Sequence, residues 1–371
     1  MMLILGIESS CDETAAALVR ASGGRFEILS NAVSSQIKLH QPFGGVVPEL
    51  AAREHLRNIL PVVKEALGDF KPQDIYALAV TVGPGLMPAL MIGVETAKAL
   101  AYAWGKPLYP VNHMEAHVYA NWIDHSDGIE FPAVGLIISG GHTELVLIKG
   151  PGKYKLLGQT LDDATGECFD KVAKMLKIGY PGGPLIEKTA LTGNPAAYKF
   201  PRPLLDKPNF DFSFSGLKTS VLYFLQKNFP EAMGAGVATE RGTSEDGAGK
   251  GAVTGEARIG EKDLADICAS FQAAVFEVLI QKTLRAAKKY KVQQILLAGG
   301  VAANNTLKQQ MLSVLEKPQD KKTGDQRLIY PELKYCTDNA AMVAVAGYFE
   351  SLRGTAPESV KIKVNSQLDI T

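Results

Sequence analysis

The pattern that most constrains the fold is a strand–turn–strand unit that occurs twice along the chain. An apolar run over residues 2–7 leads through small turn residues to a second apolar run at 14–20. A run over 131–138 leads in the same way, through a serine and two glycines, to another at 143–148. The two units are offset by about 130 residues, which is far beyond a short-period repeat and indicates two duplicated lobes.

Strands and helices alternate after each unit. Apolar residues recur at helical spacing over 49–67, and a short apolar strand at 75–82 precedes a helix predicted over 88–104. A strand at 294–297 is followed by a glycine turn and a helix over 303–315. A chain of 371 residues is also longer than the chains that typically fold around a single hydrophobic core. We therefore predict an α/β protein with two lobes, each opened by a β-hairpin.

One segment departs from this pattern. Residues 234–260 are rich in glycine, alanine, threonine, serine and glutamate and contain almost no large apolar side chain. Such a segment cannot bury enough surface to offset the entropy lost when a chain becomes ordered. We predict a flexible insertion between helices; a regulatory or partner-binding loop is the alternative.

The charge balance bears on nucleic-acid binding. Lysine and arginine together number 39, as do aspartate and glutamate, so the net charge is zero. Proteins that grip nucleic acid alone usually have a basic excess, because much of the affinity comes from neutralising phosphates. If this chain binds RNA, it needs a local basic patch or a partner.

Cysteine spacing and the N-terminus predict a cytoplasmic location. The four cysteines are scattered, with no CxxC pair, which disfavours a disulfide framework or a thiolate zinc site. The N-terminal apolar run lacks the basic segment and cleavage site of a signal peptide. The apolar stretch at 87–104 is interrupted by Glu95 and Lys98, so we expect no membrane span.

Two glycine-rich turns are candidates for nucleotide binding. In the turn from Ser139 to Thr143, successive amides can form a nest for phosphate oxygens, and glycine lets the backbone approach a ligand. The segment Gly299 to Asn304 follows a strand and begins a helix, which places amides where a phosphate or ribose can bind. Glycine pairs also serve hairpin geometry alone, so a purely structural role stays open for both turns.

Acidic residues stand beside predicted turns. Asp12 and Glu13 lie in the first hairpin turn, where a carboxylate can hold a phosphate-bound metal or position a nucleophile. The alternative is that Asp12 caps the turn and Glu13 is solvated. Asp170, just inside a helix predicted over 166–177, can contact a sugar hydroxyl or stabilise the helix dipole without any ligand.

Two histidines one helical turn apart form a metal motif. His113 and His117 are spaced i, i+4 and share one helix face, although such pairs also occur by chance. Asp338, at the start of the C-terminal helix, can complete a two-histidine, one-carboxylate set or act as a plain helix N-cap. A zinc protease needs glutamate directly after the first histidine, where this chain has Met114. Glu115 lies about 200° around the helix from the first histidine, so it cannot be that base.

These residues lie in segments that together resemble the TsaD family. The family is a tRNA threonylcarbamoyladenosine synthase subunit formerly described as an O-sialoglycoprotein endopeptidase. The resemblance covers nearly the whole chain. The segments that establish it are Gly6 to Thr14, Gly44 to Glu49 with Arg53 and His55, Gly83 to Leu86, His113 to His117, Ile138 to Thr143, Asp162 to Lys171, Tyr180 to Pro184, Phe212 to Lys218, Gly299 to Asn304, and Cys336 to Asn339.

The resemblance implies a fold. Members have the actin-like ATPase (ASKHA) fold, shared with sugar kinases and heat-shock ATPases, in which two duplicated lobes enclose a nucleotide and metal cleft. Residues 1–130 together with 334–371 would form the N-terminal lobe. Residues 131–333 would form the C-terminal lobe, with the flexible insertion at about 234–260. We do not expect that insertion in the family.

The resemblance also implies a reaction. The threonylcarbamoyl group passes from threonylcarbamoyl-AMP to N6 of the adenosine 3′ of the anticodon, in tRNAs that read codons starting with A, and AMP leaves. The implied partners are tRNA and, in a bacterium, a TsaB-like paralogue and a TsaE-like small ATPase. The implied cofactor is one divalent metal, with Fe²⁺ favoured over Zn²⁺.

Carried over position by position, the resemblance implies roles for single residues. His113, His117 and Asp338 would ligate the metal. Asp12 and Glu13 match the phosphate-loop carboxylates and are the candidate catalytic residues, with Glu13 our choice of proton acceptor. Glu187 stands where some members have a sugar-contacting aspartate. The donor-binding set is Ile137, Ile138, Ser139, Gly140, Gly141, Asp170, Gly183, Glu187 and Asn304.

Two other functions stay open from the sequence. A nucleotide-gated scaffold or chaperone-like module would bind partners without transferase activity and would tolerate the loss of His113. A metalloprotease would cleave peptide bonds in a chelator-sensitive reaction, which Met114 disfavours.

Overall fold

The computed structural model describes residues 1–233, 259–316 and 326–370, and its strands form two five-stranded sheets. In the first sheet the strand order is β3-β2-β1-β4-β5. Strands β1, β2 and β3 run antiparallel to one another, whereas β4 is parallel to both β1 and β5. The strands are β1 (Met2–Glu8), β2 (Glu13–Ser22), β3 (Arg25–Ser35), β4 (Ala77–Gly83) and β5 (Leu108–Asn112).

The second sheet repeats this topology, with the order β8-β7-β6-β9-β10. Its first strand again pairs antiparallel with the next strand and parallel with the fourth. The strands are β6 (Ala133–Ile138), β7 (Thr143–Gly150), β8 (Lys153–Gln159), β9 (Gln294–Ala298) and β10 (Arg327–Ile329). The duplication predicted from the two hairpins is therefore confirmed. The lobe boundaries at residues 130 and 334 stay predictions.

Twelve α-helices connect and cover the sheets within the described ranges. They are α1 (Ile37–His40), α2 (Pro48–Leu67), α3 (Met87–Trp104), α4 (His113–Tyr119), α5 (Asn121–His125), α6 (Thr165–Met175), α7 (Gly182–Ala190), α8 (Ser215–Asn228), α9 (Glu261–Tyr290), α10 (Asn305–Leu315), α11 (Leu333–Cys336) and α12 (Ala340–Arg353). Short 3₁₀ turns occur at 41–43, 72–74, 300–303 and 359–361. None of these helices is long and apolar enough to cross a membrane.

Alternation along β1 shows how the first sheet is covered. Leu5 and Ile7 are fully buried and pack with α2 and α3 on one face. Ile4 points to the opposite face and packs with α12. Side chains of a strand alternate between the two faces, so a strand covered on both sides must be apolar throughout.

Helix α4 lies between the two sheets. Every residue of α4 is buried, and its apolar side chains share one core with α12, with Ile4 of the first sheet and with Ile137 of the second. The other face of the second sheet packs against α6 to α9 in a separate core that includes Ile138. The helix with the paired histidines is therefore held at the junction of the two sheets.

Two predicted helices differ at their N-termini. The helix predicted over 303–315 is divided, because Asn304 has an extended backbone and its side chain caps α10. The C-terminal helix begins at Ala340, so Asp338 lies in the preceding link. The predicted insertion at 234–260 lies outside the described residues except for its last two positions.

Gly6 controls how closely α12 approaches the first sheet. A Cβ atom at this position would lie 2.3 Å from the carbonyl oxygen of Ala340 and 2.7 Å from the amide nitrogen of Ala344. Since both contacts are backbone atoms, the helix must move away from the strand. We expect Gly6→Ala to lower the free energy of unfolding by about 1–3 kcal/mol, measured by denaturant titration.

The matched control is Gly45→Ala, because a Cβ atom there meets nothing within 4 Å. Equal stability of the Gly6→Ala variant and the wild type would show that α12 does not depend on this contact.

Candidate metal and nucleotide site

Helix α4 presents its two histidines from successive turns. Strand β5 ends at Asn112, whose side-chain oxygen accepts hydrogen bonds from the amides of Met114 (2.8 Å) and Glu115 (3.3 Å). This N-cap begins the helix at His113, and His117 follows one turn later. The two imidazole rings therefore lie on one side of α4, with their centroids 4.6 Å apart.

Asp338 comes from the link between α11 and α12. The cap of α12 is Asn339, whose side-chain oxygen accepts the amide of Met342 at 3.1 Å. The side-chain nitrogen of Asn339 also donates to the carbonyl of Thr337 at 2.8 Å, which fixes the link. The alternative that Asp338 is the helix cap is therefore wrong, and its carboxylate is free to face α4.

The three predicted ligands converge. Oδ1 of Asp338 lies 3.1 Å from Nε2 of His117 and 3.5 Å from Nε2 of His113. Ligand atoms that share one ion at about 2.1 Å lie about 3.0–3.4 Å apart, so the spacing suits a single divalent metal.

Burial around His117 supports the same conclusion. This side chain is fully buried; its Nε2 faces Asp338, and its Nδ1 has no hydrogen-bond partner among the described residues. A buried imidazole with so few partners is costly, and a cation shared by Nε2 and Asp338 would stabilise it. The residues therefore fit a metal ion, both in the chemistry of the donor set and in the close, buried spacing of its atoms.

Without a metal, the cluster is an ion-pair network. Burial disfavours the imidazolium of His113 and by itself would lower its pKa. The negative charges of Asp338 and Glu8 have the larger combined effect and raise the pKa of His113 well above its ordinary value. Burial likewise opposes the ionisation of Asp338, yet His113 and His117 hold its pKa below the ordinary value. A proton and a metal ion therefore compete for this site.

The turn between β1 and β2 faces this cluster. Burial and then the charges of Asp12 and Asp338 raise the pKa of Glu13 to about 9. The carboxylate of Glu13 accepts a hydrogen bond from the Ser35 hydroxyl at 3.1 Å. Glu13 is half-buried, so the alternative that it is simply solvated does not hold.

His55 of α2, which the site prediction omitted, fixes the same turn. Its Nδ1 lies 2.8 Å from the hydroxyl of Thr14, and its Nε2 lies 2.9 Å from the carbonyl of Cys11. Hydrogen bonds to a buried histidine thus hold the turn that positions Asp12. The local sequence around His55 does not predict these contacts, because both partners lie more than 40 residues away along the chain.

The glycine turn of the second lobe rests on α6. The carbonyls of Ser139 and Gly140 accept the amides of Gly166 and Glu167, each at 3.1 Å. A Cβ atom at Gly140 or Gly141 would meet nothing within 4 Å, so the space beside these residues is open.

Two other members of the predicted donor-binding set lie directly before this turn. The side chains of Ile137 and Ile138 are fully buried in two different cores, so only their backbone can reach a ligand.

His142, in the same turn, was also missed by the site prediction. Burial, together with the nearby charges of His113 and His117, lowers the pKa of His142 to about 4. The ring is therefore neutral at physiological pH and close enough to His113 and His117 to respond to their charge. A histidine that follows two glycines predicts a turn residue only.

The predicted adenosine-binding residues form a second group, around α7 and α10. The carboxylate of Asp170 accepts the amide of Gly182 at 2.7 Å, and burial raises the pKa of Asp170 to about 6. Asp170 lies in the second turn of α6, so the alternative that it stabilises the helix dipole from the first turn is wrong. A Cβ atom at Gly183 would meet nothing within 4 Å.

Glu187 and Asn304 already have structural partners. Glu187 accepts the amides of Asn305 (2.7 Å) and Thr306 (3.4 Å), and Asn304 accepts the amide of Leu307 at 3.0 Å. Both side chains therefore cap α10. The side-chain nitrogen of Asn304 also donates to Gln272 at 3.1 Å.

The pKa shifts predict a pH window for the metal-free protein. The raised pKa of His113 adds stability that is complete below its unfolded value of about 6.5 and is lost as pH rises through the folded value. The lowered pKa values of Asp338 and Glu8 add stability above about pH 4.5 that is lost as pH falls. We expect the stability difference between the wild type and His113→Asn, both in chelator, to be largest between about pH 4.5 and 6.5.

Thermal unfolding across pH 5–9 measures this difference. A difference that grows steadily above pH 7 would contradict the charged network.

Comparisons with known proteins agree with this geometry. The sequence model of the TsaD family, described as tRNA N6-adenosine threonylcarbamoyltransferase, matches residues 27–345. A protein of that name from Thermomicrobium roseum is 48% identical over 369 residues, which cover 95% of this chain and 93% of the relative. Another, from Syntrophomonas wolfei, is 48% identical over 361 residues, covering 96% of this chain and 95% of the relative.

A solved structure tests the fold separately. HypF from T. kodakarensis matches with a TM-score of 0.57 at 14% identity, over 95% of this chain and 48% of that chain. At this identity the likeness concerns the fold alone, and it agrees with the two repeated sheets in confirming the predicted two-lobe actin-like ATPase fold. From the family match and the near-full-length relatives together, the chain belongs to the TsaD family of tRNA N6-adenosine threonylcarbamoyltransferases.

Proposed function

We propose that this chain transfers the threonylcarbamoyl group from threonylcarbamoyl-AMP to N6 of the adenosine 3′ of the anticodon, in tRNAs that read codons starting with A, with release of AMP. The observation that supports this most is the His113, His117 and Asp338 cluster at the junction of the two sheets.

One divalent metal is the proposed cofactor, with Fe²⁺ favoured over Zn²⁺. His113 Nε2, His117 Nε2 and Asp338 Oδ1 would hold it, and two histidines with one carboxylate leave open positions. When bound, the metal polarises a carbonyl or neutralises charge on a phosphate.

The donor would lie against the second lobe. It is a mixed carbamoyl-phosphate anhydride, so its leaving group is good and the protein needs mainly to position it and stabilise developing charge. The backbone from Ile137 to Gly141 is the proposed contact for the reacting end. Asp170, Gly183, Glu187 and Asn304 are the proposed contacts for the adenosine part.

Proton transfer is assigned to Asp12 and Glu13. With its pKa near 9, Glu13 holds a proton in the protein without metal. Part of that shift comes from the negative charge of Asp338, which a bound cation would neutralise. A bound cation would thus favour the ionised form of Glu13, which is the form that can accept the proton lost by the adenosine amine.

The proposed macromolecular partners are tRNA, a TsaB-like paralogue and a TsaE-like small ATPase, in the cytoplasm. Two observations support help from other proteins. The chain has no net positive charge with which to hold RNA alone. Leu56 and Leu60, one turn apart on α2, are 66% and 60% exposed, which suits contact with a protein.

A single-turnover assay tests the proposed reaction. It combines the protein and its partner proteins with synthetic threonylcarbamoyl-AMP and a tRNA anticodon stem-loop. We expect His113→Ala to reduce the rate of modification by about 100-fold or more, because it removes a metal ligand worth several kcal/mol in the transition state.

The matched control is His125→Ala, a histidine outside the cluster whose ring contacts the carbonyl of Tyr330. Equal rates in the His113 variant and the wild type would show that the metal takes no part in the reaction. No modification by wild type, with partners and metal present, would favour a nucleotide-gated scaffold instead.

The proton acceptor has a separate test. We expect Glu13→Gln to slow single-turnover modification by about 10²–10⁴-fold while the bound metal stays at the wild-type level, because the amide cannot accept the proton. Rate and metal content are measured on the same preparation. Ser35→Ala, which removes only the hydroxyl that binds Glu13, should have a much smaller effect. A wild-type rate in Glu13→Gln would exclude Glu13 as the acceptor.

A further inference from the structure

Glu8 is a buried carboxylate at the point where three strands end. It is the last residue of β1 and is fully buried. Thr81 lies near the end of the adjacent β4, and His113 follows the end of β5, the next strand along. Because parallel strands have their carboxyl ends at one edge, the sheet brings these three side chains together.

The contacts of Glu8 satisfy both of its oxygens. Oε1 accepts the amide of Ser10 at 2.6 Å. Oε2 accepts the hydroxyl of Thr81 at 2.7 Å and lies 3.0 Å from Nδ1 of His113. A buried carboxylate is stable when it has this many donors, and its charge is then directed at its neighbours.

These contacts decide which ring nitrogen of His113 holds its proton. Nδ1 also lies 3.3 Å from the Ser10 hydroxyl, which can accept as well as donate, whereas a carboxylate only accepts hydrogen bonds. The closer contact with Glu8 therefore requires Nδ1 to be the protonated nitrogen. Nε2, which faces Asp338, is then left with its lone pair when the ring is neutral. His117 has no such carboxylate partner at Nδ1 among the described residues.

We propose that Glu8 is a positioning residue: it fixes the tautomer and orientation of His113 for metal ligation and, through the amide of Ser10, ties that ligand to the turn with Asp12 and Glu13. The inference rests on the metal site of the proposed function. A carboxylate behind a ligating histidine raises the basicity of the ligand and holds its ring in place.

The substitution Glu8→Gln tests this directly. The amide of Ser10 can only donate, so the oxygen of the new carboxamide must face it. The amino group then faces Thr81 and Nδ1 of His113, and Nδ1 can meet it only as an acceptor. The ring proton would move to Nε2, the nitrogen that ligates the metal.

The first measurement is zinc affinity, by competition with a chelating dye, for the wild type and Glu8→Gln. We expect the variant to bind zinc about 10–100-fold more weakly. Glu144→Gln is the matched control, since Glu144 is a half-buried glutamate on β7 with no partner at Oε2 among the described residues. The control should bind zinc like the wild type.

A second measurement is read from the wild type and so does not depend on the folding of Glu8→Gln. In ¹⁵N-histidine-labelled, zinc-loaded protein, NMR reports which nitrogen of His113 is protonated; His113→Asn identifies its signals. We expect a protonated Nδ1 and a zinc-bound Nε2.

The outcomes separate the inference from the metal site itself. Zinc bound by wild type and Glu8→Gln with equal affinity would overturn the role of Glu8 alone, as would ligation of His113 through Nδ1. A wild type that binds no zinc would overturn both the metal site and this inference.

Discussion

The burial of α4 between two sheets is the constraint on which the rest of the structure depends. A helix covered on all sides has no solvent-exposed face for polar groups, so the imidazoles of His113 and His117 must find partners inside the protein. Asp338 and Glu8 supply them from two other elements. The same packing that joins the two sheets therefore assembles the ligand cluster.

The surrounding loops are stabilised by interactions that also limit their freedom. Asn339 caps α12, so the carboxylate of Asp338 is not used as a helix cap. Glu187 and Asn304, in contrast, cap α10 with the same side-chain atoms that are proposed to contact the adenosine part of the donor. A ligand at that end of the site must share these side chains with a helix N-terminus. Backbone contacts from the glycine turn carry no such conflict, because the space beside Gly140 and Gly141 is open.

Much of the architecture was predictable because its signals are local. Two apolar hairpins, offset by about 130 residues, predicted the repeated sheets. The i, i+4 spacing predicted that His113 and His117 share one face of a helix. The sequence pattern alone did not fix the role of Asp338, since Asp338 and Asn339 are both good helix caps and only the observed backbone separates them. Before the structure, only the resemblance to the family favoured Asp338 as a metal ligand.

Other features depend on burial and long-range contacts that no local pattern encodes. Glu8 looks like an ordinary strand end until β4 and β5 bring Thr81 and His113 against it. The raised pKa of Glu13 likewise follows from its burial beside Asp12.

The central claim is that one divalent metal binds between α4 and the link before α12. Anomalous diffraction at the iron and zinc absorption edges, from crystals of protein purified without chelator, tests it most directly. The account predicts a single strong peak within bonding distance of Nε2 of His113, Nε2 of His117 and Oδ1 of Asp338. A metal peak elsewhere, with His113 and His117 contacting Asp338 only through hydrogen bonds, would contradict it.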